Sequence, residues 1–435
     1  MNTQHIGRMV VACLSGGLAV ALALVIGPVA GAQEHVITGT ILLAWAASWA
    51  LLAMMSGWTA QPQWWAAAPA AFMGLAGTAL LVFAPSGRTI DAAGWVWPPL
   101  FLAVLAHTTV RVHRTLQSRT RTWLVYPLLA VYALIAIAGT YQTVRESLDR
   151  RMHLAPGQLV DVGGHRLHLN CTGSGTPTVI LESGLGETAA YWGWIAPAVA
   201  HDTRVCVYDR AGRGWSDAAS VAQDGVAVAA GLRTLLDRAR IPGPFVLVGH
   251  SSGAGYVRIF AGRYPHEVAG MVLLDGQPPE AFESLPSYPA FYDRFRRLSA
   301  VLPSLARLGV GRLVPPDRAL PVRARETQCL HRASAGLYRS LRDELAGLPA
   351  SLADARSFRD LGDRPLVVVT AACDALEGWL ALQNRMAALS TNSSHRVVPF
   401  THDAIVTDET AARASTQAIR DVVHAVRFTR SVNKS

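Results

Sequence analysis

The sequence predicts an all-α membrane-spanning part of about five helices, followed by an α/β domain with a doubly wound, mostly parallel sheet. Three observations carry this. Charged residues are sparse as far as about Tyr141 and ordinary in number beyond it. Past that point, apolar strand-like runs alternate with stretches of helical periodicity, the order that buries a parallel sheet between two layers of helices. Residues 244–255, PFVLVGHSSGAG, read as a buried strand that turns sharply into a helix, with Ser251 at the apex between Gly249 and Gly253. The first domain is expected over residues 1–150 and the second over 151–435.

The 435 residues are 51% hydrophobic with a formal charge of +9 and a mean hydropathy of +0.25. Length allows two or three domains, and the apolar content exceeds that of a wholly soluble protein. The positive excess is nearly all arginine, with Lys434 the sole lysine. Beyond Arg121 the arginines are dispersed rather than grouped with aromatics on a stripe, which argues against a nucleic-acid partner. No ligand spacing suggests a metal site and no glycine-rich loop suggests a phosphate cofactor, so neither is expected.

Five apolar segments, 9–30, 36–55, 64–84, 95–110 and 123–141, make the first domain. A helix needs about 20 residues to cross a bilayer, and most approach that length. The fourth is short and carries Pro98, Pro99 and His107. An arginine at mid-bilayer costs about 2.5–3.5 kcal/mol. None is present, so the segments read as an anchor rather than a transport pathway. Trp64, Trp65, Trp95, Trp97 and Trp123 lie at segment ends, where an interfacial belt would put them. Arg111, Arg114, Arg119 and Arg121 separate the last two segments, and the positive-inside rule assigns that loop to the cytoplasm. Counting back puts Arg8 inside and Glu34 outside. Counting forward delivers everything after Gln142 to the extracytoplasmic side. A rival reading takes the first segment as a signal peptide cleaved near Ala30-Gly31-Ala32, which leaves that orientation unchanged.

In the second domain, residues 158–170 show alternating runs broken by Gly163-Gly164, a hairpin signal. Buried strands follow at 178–181, ending in ESGLG, and at 204–208, ending in DRAGRGWSD. Residues 225–239 have helical periodicity. The strand before Ser251 comes next, then strands at 270–274, 365–370 and 396–400 and a closing amphipathic helix at 408–426.

From about Gly157 onward the chain resembles the α/β-hydrolase fold family. Four motifs carry the resemblance in order: the ESGLG turn, the YDRAGRGWSD turn, the GHSSG elbow, and a last strand followed by Thr401-His402-Asp403. The chain departs at Ser183-Gly184, where many members have His-Gly. The resemblance implies that the insert at about 276–363, rich in Pro, Arg and Leu with helical stretches at 290–302 and 336–345, is a helical cap shaping the substrate pocket. It also implies hydrolysis with serine at the elbow. Haloalkane dehalogenation and epoxide hydrolysis place aspartate there.

A serine hydroxyl needs a base within hydrogen-bond reach, and the base needs a carboxylate to hold its tautomer. The fold supplies these in the order serine, acid, histidine. The base is expected to be His402, which follows the last strand. His395 reads as preceding that strand, and His424 falls in the closing helix. The acid is expected to be Asp374, just after the 365–370 strand in the family's usual position, with Asp275 at the end of the preceding strand as the alternative and Glu377 nearby. The resemblance assigns the oxyanion hole to the backbone N–H groups of Leu185 and Ser252. Asp209 and Arg210 are expected to fix a turn rather than touch substrate. The fold's strand adjacency further implies a Cys171–Cys206 disulfide, and a Cys329–Cys373 bridge completes the even set. Such bonds seldom persist in the cytoplasm. The expected function is a membrane-anchored extracytoplasmic serine hydrolase acting on a small-molecule ester. A peptidase or amidase of the same fold, or a non-catalytic receptor or scaffold, are the alternatives.

Overall fold

A computed structural model describes residues 3–219 and 223–432. It divides into two compact units. One comprises Met1–Met152 with Arg296–Leu313 and Ala333–Ala335, and the other His153–Phe295, Val314–Arg332 and Gly336–Ser435.

The first unit is helical: α1 (Thr3–Ile26), α2 (Glu34–Ser56), α3 (Ala67–Phe83), α4 (Gly87–Ala93), α5 (Trp97–Thr115) and α6 (Tyr126–Met152). Among the described residues, four helices are long and apolar enough to cross a membrane: Ile6–Ile26, Glu34–Ser56, Trp64–Phe83 and Arg121–Met152. The fourth expected segment corrects differently. It qualifies only when α4 and α5 are taken as one span bent by 45°, because Pro98 and Pro99 start a new helix at its head. Small residues let α2 and α3 touch: a Cβ on Gly77 would lie 2.8 Å from the Gly39 carbonyl oxygen. Trp45, Trp49, Trp65, Phe101 and Tyr132 form an aromatic core. Trp65 is therefore interior, its indole N–H donating to Gln63 Oε1 at 2.7 Å, whereas Trp64, Trp95 and Trp123 are exposed.

The second unit is built on eight strands: β1 (Gln158–Asp161), β2 (Arg166–Thr172), β3 (Thr178–Glu182), β4 (Val205–Asp209), β5 (Phe245–His250), β6 (Val268–Leu274), β7 (Leu366–Ala371) and β8 (Ser393–Val398). Their order is β1-β2-β4-β3-β5-β6-β7-β8. β1 and β2 pair antiparallel, as do β2 and β4, and every later pair is parallel. The central strands are buried on both faces, which is why their sequences are unbroken apolar runs. Helices α7 (Ile195–Ala200), α8 (Gly225–Arg238) and α9 (Gly253–Arg263) join the early strands. The chain from β6 to β7 forms α10 (Ala281–Ser284), α11 (Tyr288–Ser299), α12 (Leu302–Ala306), α13 (Val322–Arg332) and α14 (Ala335–Ser357). After β7 come α15 (Trp379–Ala387), α16 (Ala404–Thr407) and α17 (Glu409–Phe428), the last capped by Asp408, which accepts from the Thr410 and Ala411 N–H groups. Two apolar clusters lie on opposite faces of the sheet, one against α8 and α9, the other against α7 and α17.

Cys171 and Cys206 face each other across β2 and β4 and are bridged. The expected Cys329–Cys373 bridge is not present: both thiols are free and exposed, one on α13 and one in the turn after β7. β8 begins three residues earlier than expected, so His395 lies inside it. Its ring is engaged by Thr370 Oγ1 at 2.8 Å and Asn384 Oδ1 at 2.5 Å.

Candidate active site

Parallel strands end their C-terminal edges on one rim, and the loops there can bring distant residues together. β5 ends at His250, and α9 starts at Gly253. The turn between them leaves no room for side chains at its glycines. A Cβ on Gly249 would lie 2.6 Å from the Ala254 backbone nitrogen, and one on Gly253 would lie 2.5 Å from the Glu182 carbonyl oxygen. Ser251 sits at the apex with φ of +52°, a left-handed conformation that a non-glycine residue adopts only under constraint. Its N–H donates to the Leu274 carbonyl at 3.1 Å and its own carbonyl accepts from Gln277 N–H at 2.9 Å. Both bonds tie the elbow to the end of β6.

Asp275 follows β6 directly and is also left-handed, with φ of +42°. Its carboxylate is 4% exposed. Oδ1 accepts from the Trp379 indole N–H at 2.8 Å and the Ala371 N–H at 3.2 Å. Oδ2 lies 2.6 Å from Nδ1 of His402. Asp374, the acid expected from its position after β7, lies elsewhere on the same histidine. Its exposed carboxylate accepts the His402 backbone N–H at 2.9 and 3.1 Å. Asp374, in the turn after β7, is exposed, whereas Asp275 is buried where it meets the ring. Glu377 is exposed further along that turn, and His424 is exposed on α17.

His402 is fixed beside the elbow by His250. The two rings are 4.7 Å apart, and His250 Nε2 lies 3.2 Å from the His402 carbonyl oxygen. His250 is itself held at Nδ1 by Glu187 Oε1 at 2.9 Å. Burial, the largest single influence, pushes the His250 pKa down, but the charge and hydrogen bond of Glu187, with Asp403 and the His402 carbonyl, together turn the net shift upward. Burial likewise opposes ionisation of Glu187, yet His250 and the Gly184 N–H, at 2.5 Å, hold its pKa below the usual value. Neither Glu187 nor His250 was given a role from the sequence, although Glu187 directly follows the ESGLG turn and His250 lies within the GHSSG elbow.

The ESGLG turn abuts the elbow: a Cβ on Gly184 would lie 3.0 Å from Ser251 Cβ. Leu185 is half-buried in this turn, and Ser252 is buried at the start of α9. The turn is clamped by arginines from the following motif. Arg210 donates to the carbonyls of Ser183 and Gly184, both at 2.6 Å, and Arg213 donates to Gly184 O at 3.0 Å. Arg210 also pairs with Glu182, and Glu344 on α14 pairs with both arginines. The same Glu344 Oε1 accepts from Tyr256 at 2.8 Å and from the Ser252 hydroxyl at 3.2 Å. The departure at Ser183 is accommodated locally, its hydroxyl accepting from the Trp192 indole at 2.9 Å. Asp209 holds its own loop, accepting from Ala189 N–H at 2.8 Å and Trp215 N–H at 3.2 Å and facing His168 Nδ1 at 2.7 Å. Among the described residues no cluster of three or more His, Cys, Asp or Glu side chains has metal-binding geometry.

Comparison with known proteins agrees with this fold. The sequence model of the alpha/beta hydrolase fold matches residues 177–313. An uncharacterised protein of Schizosaccharomyces pombe is 32% identical over 189 residues, covering 37% of this chain and 34% of that protein. The 2-hydroxy-6-oxo-2,4-heptadienoate hydrolase of Pseudomonas putida is 34% identical over 124 residues, 27% of this chain and 44% of that enzyme. The match thus spans well under two thirds of either relative. Among solved structures, a candidate lipase from Acinetobacter baumannii superimposes with a TM-score of 0.51 at 20% identity, over 66% of this chain and 97% of the other. Sheet order, elbow and sequence match agree that the sheet-bearing unit has the α/β-hydrolase fold.

Proposed function

We propose that the protein is a membrane-anchored serine hydrolase that cleaves a carboxylic ester through an acyl-enzyme, with Ser251 as nucleophile, His402 as base and Asp275 as the acid that orients the base. The observation that carries this reading is the 2.6 Å approach of Asp275 Oδ2 to His402 Nδ1, with the His402 ring beside that of His250, the neighbour of Ser251. Asp374 takes the secondary part of holding the His402 backbone.

In this reading Asp275 keeps Nδ1 protonated, so Nε2 is the basic nitrogen. Ser251 Oγ attacks the ester carbonyl carbon as its proton passes to Nε2. The N–H groups of Leu185 and Ser252 receive the developing oxyanion, the contribution that such donors make in acyl transfer. Collapse breaks the C–O bond, and the leaving alcohol takes the proton from Nε2. A water molecule then gives a proton to Nε2 and attacks the acyl carbon. The second collapse returns that proton to Ser251 Oγ and releases the carboxylic acid.

The apolar N-terminal helices support anchoring, and the arginine-rich loop before α6 supports an extracytoplasmic sheet domain. The Cys171–Cys206 bridge fits the same compartment. The test is a fluorophosphonate probe with a panel of esters and aminoacyl amides. Ser251→Ala is expected to lose labelling and to lower kcat by roughly 10⁴–10⁶-fold with an unchanged circular dichroism spectrum. Undiminished turnover in that variant rules the assignment out. Faster cleavage of amides than esters points to a peptidase, and a folded wild type that never labels points to a non-catalytic scaffold.

A further inference from the structure

Residues 296–313 belong by chain order to the insertion between β6 and β7, yet they pack within the helical unit. The attachment is made by specific polar contacts. Arg307 pairs with Glu34 through Nε and again through Nη2 to Oε2 at 3.3 Å, and its Nη1 pairs with Asp91 at 2.9 Å. Arg312 pairs with Asp149 at 2.7 Å and donates to Gln142 Oε1 at 2.7 Å. Gln142 Nε2 in turn donates to the Ala333 carbonyl at 2.6 Å, and Ser304 shares a hydroxyl hydrogen bond with Thr38 at 2.9 Å.

The partners share one location. Glu34 opens α2, Asp91 lies in α4, and Gln142 and Asp149 lie in the last part of α6. With α4 and α5 taken as one bent span, alternation of direction through successive spans puts these positions on the same side of a bilayer, the side opposite the 111–121 loop. Glu34 and Gln142 are 3% and 2% exposed, so the segment covers polar groups at the start of α2 and in the second half of α6. Four of its apolar side chains remain uncovered: Leu298, Leu305, Val310 and Leu313 are exposed, Leu313 at 81%. A soluble surface rarely displays such a set, whereas at a membrane interface the same residues lie in the headgroup region.

We propose that residues 296–313 are a strap that holds the insertion at the bilayer surface, and that the ester taken by the site is a long-chain acyl ester dissolved in the bilayer. The proposal rests on the hydrolase reading above and names its substrate class. The strap joins the rest of the insertion covalently at Phe295 and Val314, and a chain extends only about 3.3–3.6 Å per residue. The neighbouring residues of the insertion are therefore kept at the interface, where an acyl ester is concentrated.

The test uses the full chain in phosphatidylcholine–phosphatidylglycerol vesicles with two substrates, p-nitrophenyl acetate in water and p-nitrophenyl palmitate in the vesicle. Two variants are compared with wild type: Leu305→Gln/Leu313→Gln, which alters only the exposed surface, and Arg307→Gln, which loosens the clip. Both are expected to raise KM for the palmitate roughly tenfold, each removing apolar or electrostatic attachment at the interface. Acetate turnover and fluorophosphonate labelling should stay within about twofold, as for surface changes remote from the site. An unchanged palmitate KM in the glutamine double variant overturns the proposal, as does an equal fall on both substrates or a wild type that prefers the acetate. Absence of any Ser251-dependent labelling is a different result, one that removes the hydrolase reading itself.

Discussion

Two carboxylates hold His402, and they hold different atoms. Asp275 faces Nδ1 of the ring and Asp374 accepts the backbone N–H. A carboxylate on the ring selects the tautomer and stabilises the imidazolium formed during attack. A carboxylate on the backbone only steadies the loop. Asp275→Asn is therefore expected to lower kcat by about 10⁴-fold, the effect of disturbing the tautomer in a serine–histidine–aspartate triad. Asp374→Asn, which retains an acceptor oxygen for the N–H, should fall by less than about tenfold on the same scale. Ester turnover with purified variants distinguishes the two, and a reversed order would return the acid role to Asp374. That Ser251 and His402 lie at the same rim could be read in the sequence because each adjoins a strand end with a recognisable pattern. Which of the two aspartates faces the ring could not. Both aspartates end a strand, and what separates them is the direction each loop takes, set for Asp275 by the Trp379 indole and the Ala371 N–H, which come from more than 90 residues away along the chain.

At the scale of elements, the strands were visible because a parallel sheet covered on both faces needs continuous apolar runs. The largest difference is at the start of β8, where Ser393, Ser394 and His395 are polar and just half-buried, while β6 starts and β8 ends two residues earlier than expected. The polar scaffold beneath the elbow was invisible for the opposite reason: its members come from β3, the loop after β4, α9 and α14, with no shared periodicity. Glu344 is the member that joins α14 to this scaffold, facing Arg210 and Arg213 in a buried site. Burial and the neighbouring Arg210 already depress the Arg213 pKa. Glu344→Ala strands a buried guanidinium and should destabilise the sheet domain by about 3–5 kcal/mol, measured by denaturant unfolding. A loss below about 1 kcal/mol, the value of an exposed ion pair, would mean that the charge is solvated.

A second buried pair, His168 with Asp209, predicts a pH dependence. Burial depresses the His168 pKa, but Asp209 more than compensates, so the folded pKa is raised. A raised folded pKa means stability that is fully present below the unfolded histidine value, about 6.5, and is lost as pH rises through the folded value. Asp209 is also buried, yet His168 holds its pKa down, so its contribution is present above the ordinary aspartate range and fades in acid. The thermal midpoint of wild type minus that of His168→Gln should therefore be largest in mildly acidic solution and shrink towards alkaline pH. A difference that grows with alkalinity would contradict the pairing.

At the scale of the whole molecule, the contrast between a charge-poor first part and an ordinary second part made the two-part organisation legible. The strap was not, because residues 296–313 have no compositional mark that separates them from the rest of the insertion. Their place depends on Arg307 and Arg312 finding acidic partners more than 150 residues earlier. The free thiols, which the sequence suggested were bridged, now serve to test orientation. Cys329 and Cys373 are both exposed. If α6 delivers the sheet domain outside the cytoplasm, a membrane-impermeant maleimide should label intact cells at these two positions, and Cys329→Ala/Cys373→Ala should abolish the signal. Cys171 and Cys206 are bridged and do not react, while Cys13 lies within α1. Labelling that requires permeabilised cells would put the hydrolase site in the cytoplasm. The positive-inside reading of the arginine loop would then be wrong, and the strap would face the inner leaflet instead.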